Sequence, residues 1–490
     1  MPDGLVHGKL RTMLATPEPL APLRRALAER LPPETLLDDP ELIAPYLIDH
    51  RRLYQGATLA VALPRSVEEV AMILAFCNEH RIGVVPQGGN TGYCGGATPD
   101  SSGRQLVLGL RRMNRVRSVD AGNDSITVEA GCILAHVQEA AAAADRYFPL
   151  SLGSEGSCQI GGNLATNAGG LNVVRFGMAR HLMLGLEAVL ADGRIYRGLR
   201  GLRKDNTGYD LNDLLVGSEG TLGIITAATL RLYPRMRSVA TAFIALTSLD
   251  GVVPLLAQLR ALAGETLSSY ELIPRIGITL TTTHIPGITD PLLASQEWYV
   301  LCELASAASA PLEDRLTEAL SLATEAGLIF DAALASSERQ RLEFWRLRES
   351  IPEAQRRAGP SLKHDVSVPV SVVPEFIRTA AQWVSTHVPE ATLVCYGHAG
   401  DGNLHFNINW LEAGDSAAFL GREAEIKRAI HDLVAARDGS ISAEHGIGQL
   451  KVAEFARYAP EHKLAMMRAI KQALDPRGIL NPGKVLAAAT

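Results

Sequence analysis

Three glycine-dense segments in the first half of the chain limit what it can fold into. They read PQGGNTGYCGG over 86–96, PLSLGSEGSCQIGGNLATNAGG over 149–170 and GSEGTLGII over 217–225. Glycine takes up positive φ and lets backbone approach a ligand closely. Consecutive N–H groups in such turns form concavities that bind anions, and Ser154, Ser157, Thr166 and Asn167 add short side-chain donors. One loop of this kind alone reads as a tight turn. Three together, all mixing glycine with small polar residues, point to a large phosphate-bearing cofactor. Two familiar nucleotide loops are excluded. No G-x-G-x-x-G stands between a strand and a helix with an acid about 20 residues further on. The GILNPGK segment at 478–484 is followed by Val485 where a P-loop needs Ser or Thr, and too little chain follows for its helix and strands.

Ser66 and Glu69 form a capping-box signature ahead of Val67, Val70, Ile73, Leu74 and Cys77, which predicts a helix ending near 81–83. Strands are predicted at 105–110, 124–130, 186–190 and 223–232, with a helix at 133–144. Beyond about 236 the glycine loops stop. Long helical patterns at 252–264, 311–326, 338–358 and 416–437 alternate with short strands at 298–302 and 391–395. This predicts an α+β fold in which a cofactor domain precedes an α+β substrate domain with an antiparallel sheet. The expected division is an N-terminal helical arm (1–55), a cofactor domain (56–235), a substrate and metal domain (236–449) and a C-terminal helical segment (450–490) returning to the first domain.

The charge balance, 47 Lys+Arg against 53 Asp+Glu, argues against a nucleic-acid binder, which would need a basic surface. The six cysteines are scattered with no C-x-x-C pair, as in a protein with reduced thiols. The N-terminus, MPDGLVHGKLRTML, has an early Asp and no apolar run, so it does not read as a secretory signal. No stretch approaches the ~18 apolar residues of a membrane span. A cytoplasmic placement is expected, with peripheral membrane contact left open.

The densest chemistry lies in GHAGDGNLHFN over 397–407 and SAEHGIG over 442–448. His398 and His405 stand seven apart and would face opposite sides of one continuous strand. The Gly-Asp-Gly turn at 400–402 breaks that strand and can fold both imidazoles toward one point. Glu444 would complete a His₂–carboxylate set suited to Zn²⁺, Mn²⁺ or Fe²⁺, with open positions for substrate. The competing reading is a polar site held by hydrogen bonds alone.

These motifs carry a resemblance. Residues from about 59 to 233 resemble the FAD-binding domain of the vanillyl-alcohol oxidase/p-cresol methylhydroxylase superfamily. The whole of 40–485 is similar to its D-lactate/D-2-hydroxyglutarate dehydrogenase branch, whose hallmarks are G-H-x-G-D-G-N-L-H, A-E-H-G-I-G and a terminal N-P-G-K. The resemblance implies that Pro86, Gly88, Gly89, Asn90, Thr91 and Gly92 hold the FAD pyrophosphate together with Ser151, Gly153, Ser154, Ser157, Gly161, Gly162, Asn163, Thr166, Asn167 and Gly169. It places Glu219, Gly220, Gly223, Ile224 and Ile225 toward the adenosine and adds Asn481 to the cofactor site. Covalent members carry His where Asn90 stands, so FAD is expected to be non-covalent. Cys158 as an attachment point is disfavoured against a buried thiol.

By the same resemblance His398, His405 and Glu444 bind a metal, zinc first among the options. His445 is then the base, Asn407 touches substrate, and Arg348 and Lys363 bind substrate carboxylate. Pro352 departs from hydroxyglutarate enzymes that carry Thr there. The implied activity is oxidation of a D-2-hydroxy acid to a 2-oxo acid with hydride passing to the flavin. D-2-hydroxyglutarate stands ahead of D-lactate and D-malate, because two cations exceed what one monocarboxylate needs. Electrons would leave to an electron-transfer flavoprotein, a quinone or a cytochrome, and a homodimer is allowed. The competing classes are a hydrolase using the His₂–Glu set, a non-redox FAD enzyme of the same superfamily, and a silent FAD-binding protein.

Overall fold

The computed structural model describes residues 20–293, 295–411 and 416–487, so residues 1–19 of the expected N-terminal arm lie outside the described residues. The helix Val67–His80 forms where the capping signature places it. The Ser66 hydroxyl accepts the Glu69 amide at 3.2 Å, and the Glu69 carboxylate accepts the Arg65 amide at 2.9 Å. Its buried face is Val67, Val70, Ile73, Leu74, Phe76 and Cys77. This helix links Ala60–Ala62 to Gly83–Gln87, and both strands pair in parallel with Gln105–Gly109. The short strand Leu36–Leu37 completes that sheet in antiparallel. A second sheet, five-stranded and antiparallel, orders Val116–Asp120, Ser125–Glu129, Ile224–Arg231, Met183–Val189 and Ile195–Gly198. The glycine segments fill the gaps between these strands.

The second half is built on a four-stranded antiparallel sheet ordered Leu267–Pro274, Trp298–Ser306, Ser238–Leu246 and Ile329–Leu334. Both faces are covered. Ala242, Ile244 and Leu246 pack with helices Val252–Ala263 and Leu312–Glu325, whereas Phe243 and Ala245 pack with Arg275–His284 and Glu338–Ala358. Alternate residues of one strand thus serve two cores. Glu338–Ala358 runs through Pro352, which has no N–H to give to the carbonyl of Arg348 four residues back.

A smaller sheet follows. Asn403–Asn409 pairs with Thr392–Tyr396, Asp365–Ser367 and Ser361–Leu362. The two sheets of the second half are stitched at Leu272 and Gly397, which exchange backbone hydrogen bonds of 2.8 and 3.0 Å. That stitch brings the middle of Leu267–Pro274 beside the Gly-Asp-Gly turn. After helices Val452–Tyr458 and Glu461–Leu474 the chain returns to the first sheet, where Val84 donates to Ile479 at 2.7 Å and Asn481 donates to Val84 at 2.8 Å. Asp475 shapes this return, accepting the amides of Ile479 and Leu480 and the ammonium of Lys471.

Candidate active site

The stitch between the sheets places a charge where an apolar residue would be expected. Glu271 sits in the fully buried strand Leu267–Pro274 and is itself 0% exposed. One carboxylate oxygen accepts from His398 Nδ1 at 2.6 Å; the other accepts from Arg348 Nε at 2.8 Å and lies 2.7 Å from Arg348 Nη2. Burial opposes its charge, but His398 and Arg348 hold the carboxyl down to about 2. Burial also opposes charge on His398, yet Glu271 and then Glu444 hold that imidazole up to about 9.

With Nδ1 on Glu271, His398 turns Nε2 toward Glu444, 3.3 Å from its carboxylate. His405 is the cross-strand neighbour of Tyr396, and its ring lies edge-on to that of His398, centroids 5.5 Å apart. One donor atom from each of His398, His405 and Glu444 lies within 4.8 Å of the others. Burial, then the charges of His398 and Arg348, press the pKa of His405 well below its ordinary value, so it keeps a lone pair free. For Glu444, burial first and the carboxylates around it next outweigh His398 and raise it to about 7. Two imidazoles and a carboxylate with donor atoms this close suit a divalent cation.

His445 is held from behind. Asp365, 4% exposed, accepts the amides of Glu444 and His445 at 2.9 and 3.0 Å and the Asn403 side-chain amide at 2.9 Å. Its carboxylate also lies 3.3 Å from His445 Nδ1, which leaves Nε2 toward the cleft. Burial depresses His445, and Lys451, Arg51 and Lys363 add to that against the pull of Asp365. The imidazole is therefore biased toward its neutral, proton-accepting form. The loop carrying it is tied to the first half. Glu219 accepts the amides of Ile447 and Gly448 at 2.7 Å each, Cys94 accepts those of Gln449 and Leu450, and Tyr93 packs edge-on against His445 at 4.7 Å. Gly448, at φ +53°, has no room for a Cβ, which would fall 2.1 Å from the Cys94 carbonyl.

The glycine segments meet on one channel. A Cβ at Gly89 would strike the Ser157 carbonyl at 2.2 Å, and one at Gly220 would strike Pro86 at 2.4 Å, so the three segments are in mutual contact. Cβ atoms at Gly92, Gly153 and Gly162 would meet nothing within 4 Å. Buried side-chain oxygens of Gln159, Asn163 and Asn481 lack hydrogen-bond partners among the described residues and can accept from a bound group. Open glycine faces and orphaned polar atoms fit a long polar cofactor.

Several side chains assigned to the cofactor from sequence are engaged elsewhere. Glu219 holds the His445 loop. Asn167 accepts from the Arg180 amide, the Thr166 hydroxyl donates to Gly162, and Ile224 and Ile225 are buried core residues. Their backbones remain beside the channel. Asn90, at φ +54°, donates to the Ile48 carbonyl at 2.8 Å. Cys158 is 4% exposed and accepts from Asn163. Among the expected substrate residues, Asn407 lies 3% exposed, its amide bonded to Gln355 and to the His364 N–H. Lys363 is exposed to the cleft. Nε and Nη2 of Arg348 are taken by Glu271, whose single charge is shared with His398. Glu271, Asp365 in its role behind His445, and Tyr93 were not foreseen. The segment LSSYELIP, with two serines before the Glu, gave no apolar pattern against which a buried Glu would stand out.

The Glu271–His398 pair gives metal-free protein a pH-dependent stability. His398 rises from its ordinary 6.5 to about 9, so its contribution is complete below pH 6.5 and is lost as pH rises through 9. The shift corresponds to about 3 kcal/mol. Urea unfolding with chelator present is expected to show stability falling from pH 6.5 to 9 in the parent, with a flattened slope in Glu271→Gln. Equal slopes in the two proteins would remove the pair from the account.

Comparison with known proteins follows the same division of labour. Residues 58–198 match the FAD binding domain family and residues 235–485 the C-terminal domain of FAD linked oxidases. A mitochondrial D-2-hydroxyglutarate dehydrogenase of Bos taurus is 39% identical over 464 residues, covering 94% of this chain and 83% of that one. Its Arabidopsis thaliana counterpart is 37% identical over 458 residues, covering 94% and 80%. Among solved structures, p-cresol methylhydroxylase superposes with a TM-score of 0.75 at 19% identity, covering 95% of this chain and 96% of that one, which shows a shared fold. The cytoplasmic placement expected from the N-terminus is corrected by these relatives, which are mitochondrial by name. Among the described residues no helix is long and apolar enough to cross a membrane. The chain binds FAD and is an FAD-linked oxidoreductase acting on a CH–OH donor: it belongs to the FAD-linked oxidases, in the branch of the D-2-hydroxyglutarate dehydrogenases.

Proposed function

We propose that the chain oxidises D-2-hydroxyglutarate to the corresponding 2-oxo acid, with FAD held non-covalently and a divalent cation, zinc first, at His398, His405 and Glu444. The observation that carries the reading is the juxtaposition of that donor set with His445, whose Nδ1 lies 3.3 Å from Asp365 and whose Nε2 makes no hydrogen bond or ion pair among the described residues. The D-hand and the five-carbon diacid come from the relatives' names. The side chain at the position of covalent attachment is Asn90, already bonded to Ile48, which supports releasable FAD. The chain division at 56–235, 236–449 and 450–490 belongs to the same proposal, supported by separate sheets in the two halves and by the bridge from Leu480 to Val84.

When bound, FAD supplies the hydride acceptor and the cation supplies Lewis acidity at the substrate hydroxyl. The protein does the rest. His405 presents a lone pair, His398 would present a second once its Nε2 proton leaves to solvent, and Glu271 fixes the ring of His398. His445 Nε2 takes the hydroxyl proton as the C2 hydride leaves, so proton and hydride together make the two-electron oxidation. Asp365 keeps His445 oriented and stabilises the imidazolium that forms. Glu219 ties this loop to the first half of the chain through the amides of Ile447 and Gly448. The hydrolase and non-redox readings predict no flavin reduction by a hydroxy acid.

In an anaerobic screen, D-2-hydroxyglutarate is expected to bleach the flavin with a higher kcat/KM than D-malate or D-lactate, the L-isomers being inactive. A preference for D-lactate overturns the diacid assignment, and no bleaching by any hydroxy acid overturns the reaction. His445→Asn is expected to lower turnover by about 10²–10⁴ while FAD content stays at the parent level; near-parent turnover moves the base elsewhere. Chelated protein, shown metal-free by elemental analysis, is expected to keep FAD and lose turnover. Full activity in that sample rules out the cation.

A further inference from the structure

A single contact leaves an imidazole free to turn. The Asp365 carboxylate lies 3.3 Å from His445 Nδ1, longer than the usual ~2.9 Å of an N–H···O bond. It fixes one ring atom, and Nε2, across the ring, can still swing about it. A base has to keep that atom on the proton it takes, and a displacement of about 1 Å costs on the order of a hundredfold in rate. Among the described residues one ring packs on His445, that of Tyr93, with centroids 4.7 Å apart and planes at 86°.

Tyr93 is locked to the loop it touches. The carbonyl of the next residue, Cys94, accepts the amides of Gln449 and Leu450 at 3.0 and 3.2 Å, and the Cys94 thiol donates to the Gly446 carbonyl at 3.4 Å. The Gly95 carbonyl accepts from the Gln449 side chain at 3.0 Å. Gly95 packs so closely that a Cβ there would fall 2.7 Å from that side chain and 2.6 Å from the Tyr54 ring. Tyr54 ends a turn that Asp49 builds by accepting the amides of Arg51 and Tyr54 at 2.9 and 2.6 Å, and Asn90 holds the turn by donating to Ile48 at 2.8 Å. His50 of this turn sets its ring 5.7 Å from that of Tyr93. Tyr93 itself is 41% exposed, so its ring is not needed to fill a core. Its hydroxyl makes no hydrogen bond among the described residues, which leaves the ring as what it gives to His445.

We propose that Tyr93 is a positioning residue for the oxidation: its ring sets the rotation of the His445 imidazole and so the aim of Nε2 at the substrate hydroxyl. This rests on the reading of His445 as the base. Tyr93 moves no proton itself. An edge-on aromatic pair at this spacing is attractive, so turning the imidazole away from Tyr93 costs free energy. Asp365 and Tyr93 then hold the ring at two places, one at Nδ1 and one across its plane. The bonds from Cys94 and Gly95 to the 446–450 loop fix the two rings relative to each other before substrate arrives. Because Tyr93 belongs to the first glycine segment, the half of the chain that holds the cofactor also aims the base.

The test follows anaerobic flavin reduction by D-2-hydroxyglutarate in the FAD-loaded parent, Tyr93→Leu, Tyr93→Phe, His445→Asn and the double variant Tyr93→Leu/His445→Asn. Bound FAD, melting temperature and the dissociation constant of glutarate, a diacid with no hydroxyl to deprotonate, are measured for each. Tyr93→Leu is expected to lower the limiting rate of reduction by about ten- to a hundredfold, with FAD content and glutarate binding at the parent level. Tyr93→Phe, which keeps the ring, is expected to restore the rate. In the His445→Asn background the Leu substitution is expected to cost nothing further, because Tyr93 acts through His445. A parent-like rate in Tyr93→Leu overturns the proposal. So does an equal loss in Tyr93→Phe, which would assign the effect to the hydroxyl, or a full further loss in the double variant, which would place it elsewhere. A parent-like rate in His445→Asn overturns the base reading itself. If Tyr93→Leu loses FAD, Tyr93→Met repeats the measurement; loss of FAD there too makes Tyr93 a cofactor residue and overturns its role toward the base.

Discussion

A single buried carboxylate organises the second half of the molecule. Glu271 sits in an apolar strand where an unpaired charge would be ruled out by its desolvation. It is tolerated because His398 and Arg348 both reach it, and those two residues come from the turn after Thr392–Tyr396 and from the helix Glu338–Ala358. Removing either partner would leave a charge stranded, so strand, turn and helix must keep one relative position. The backbone exchange between Leu272 and Gly397 does the same job one residue along. The donor set is therefore rigid for reasons lying beneath it, in contacts that no ligand touches.

A second pair of carboxylates joins the halves. Asp365 orders the amides of Glu444 and His445 from the substrate side, and Glu219 orders those of Ile447 and Gly448 from the flavin side. Four successive members of one short loop, 444–448 less its glycine at 446, are thus held by acids from opposite halves. His445 cannot drift relative to the first half of the chain without breaking charge-assisted bonds to backbone. The glycines at 446 and 448 are needed because Glu219 and the Cys94 carbonyl occupy the space where Cβ atoms would go.

The parts of this design legible in sequence are those written in local spacing. The helix Val67–His80 follows from its capping pair, Glu338–Ala358 from its periodicity, and the convergence of His398 with His405 from the turn between them. The strand Leu267–Pro274 left no such mark. It is buried on both faces, so its residues do not alternate, and nothing in the sequence around Glu271 names partners 77 and 127 positions away. The expected 416–437 helix is broken at Arg422 into Ala417–Gly421 and Glu423–Ala435. Arg348 was assigned to substrate from a motif because charge alone does not tell whether a buried acid already claims it.

The electrostatics separate three histidines that share one small space. His398 is driven toward the imidazolium by Glu271 and Glu444, whereas burial, aided by nearby cations, drives His405 and His445 toward the neutral form. Environments that push neighbouring groups apart in this way assign roles. A neutral imidazole with Nδ1 facing a carboxylate can accept a proton at Nε2, and His445 alone among the three pairs that property with an Nε2 outside the donor set. An arriving cation would displace the Nε2 proton of a protonated imidazole to solvent, and the bond to Glu271 would keep the ring oriented. Glu271 is what makes His398 differ from its neighbours, so the acid that fixes the fold of this half also sets the charge state of His398 apart from those of His405 and His445.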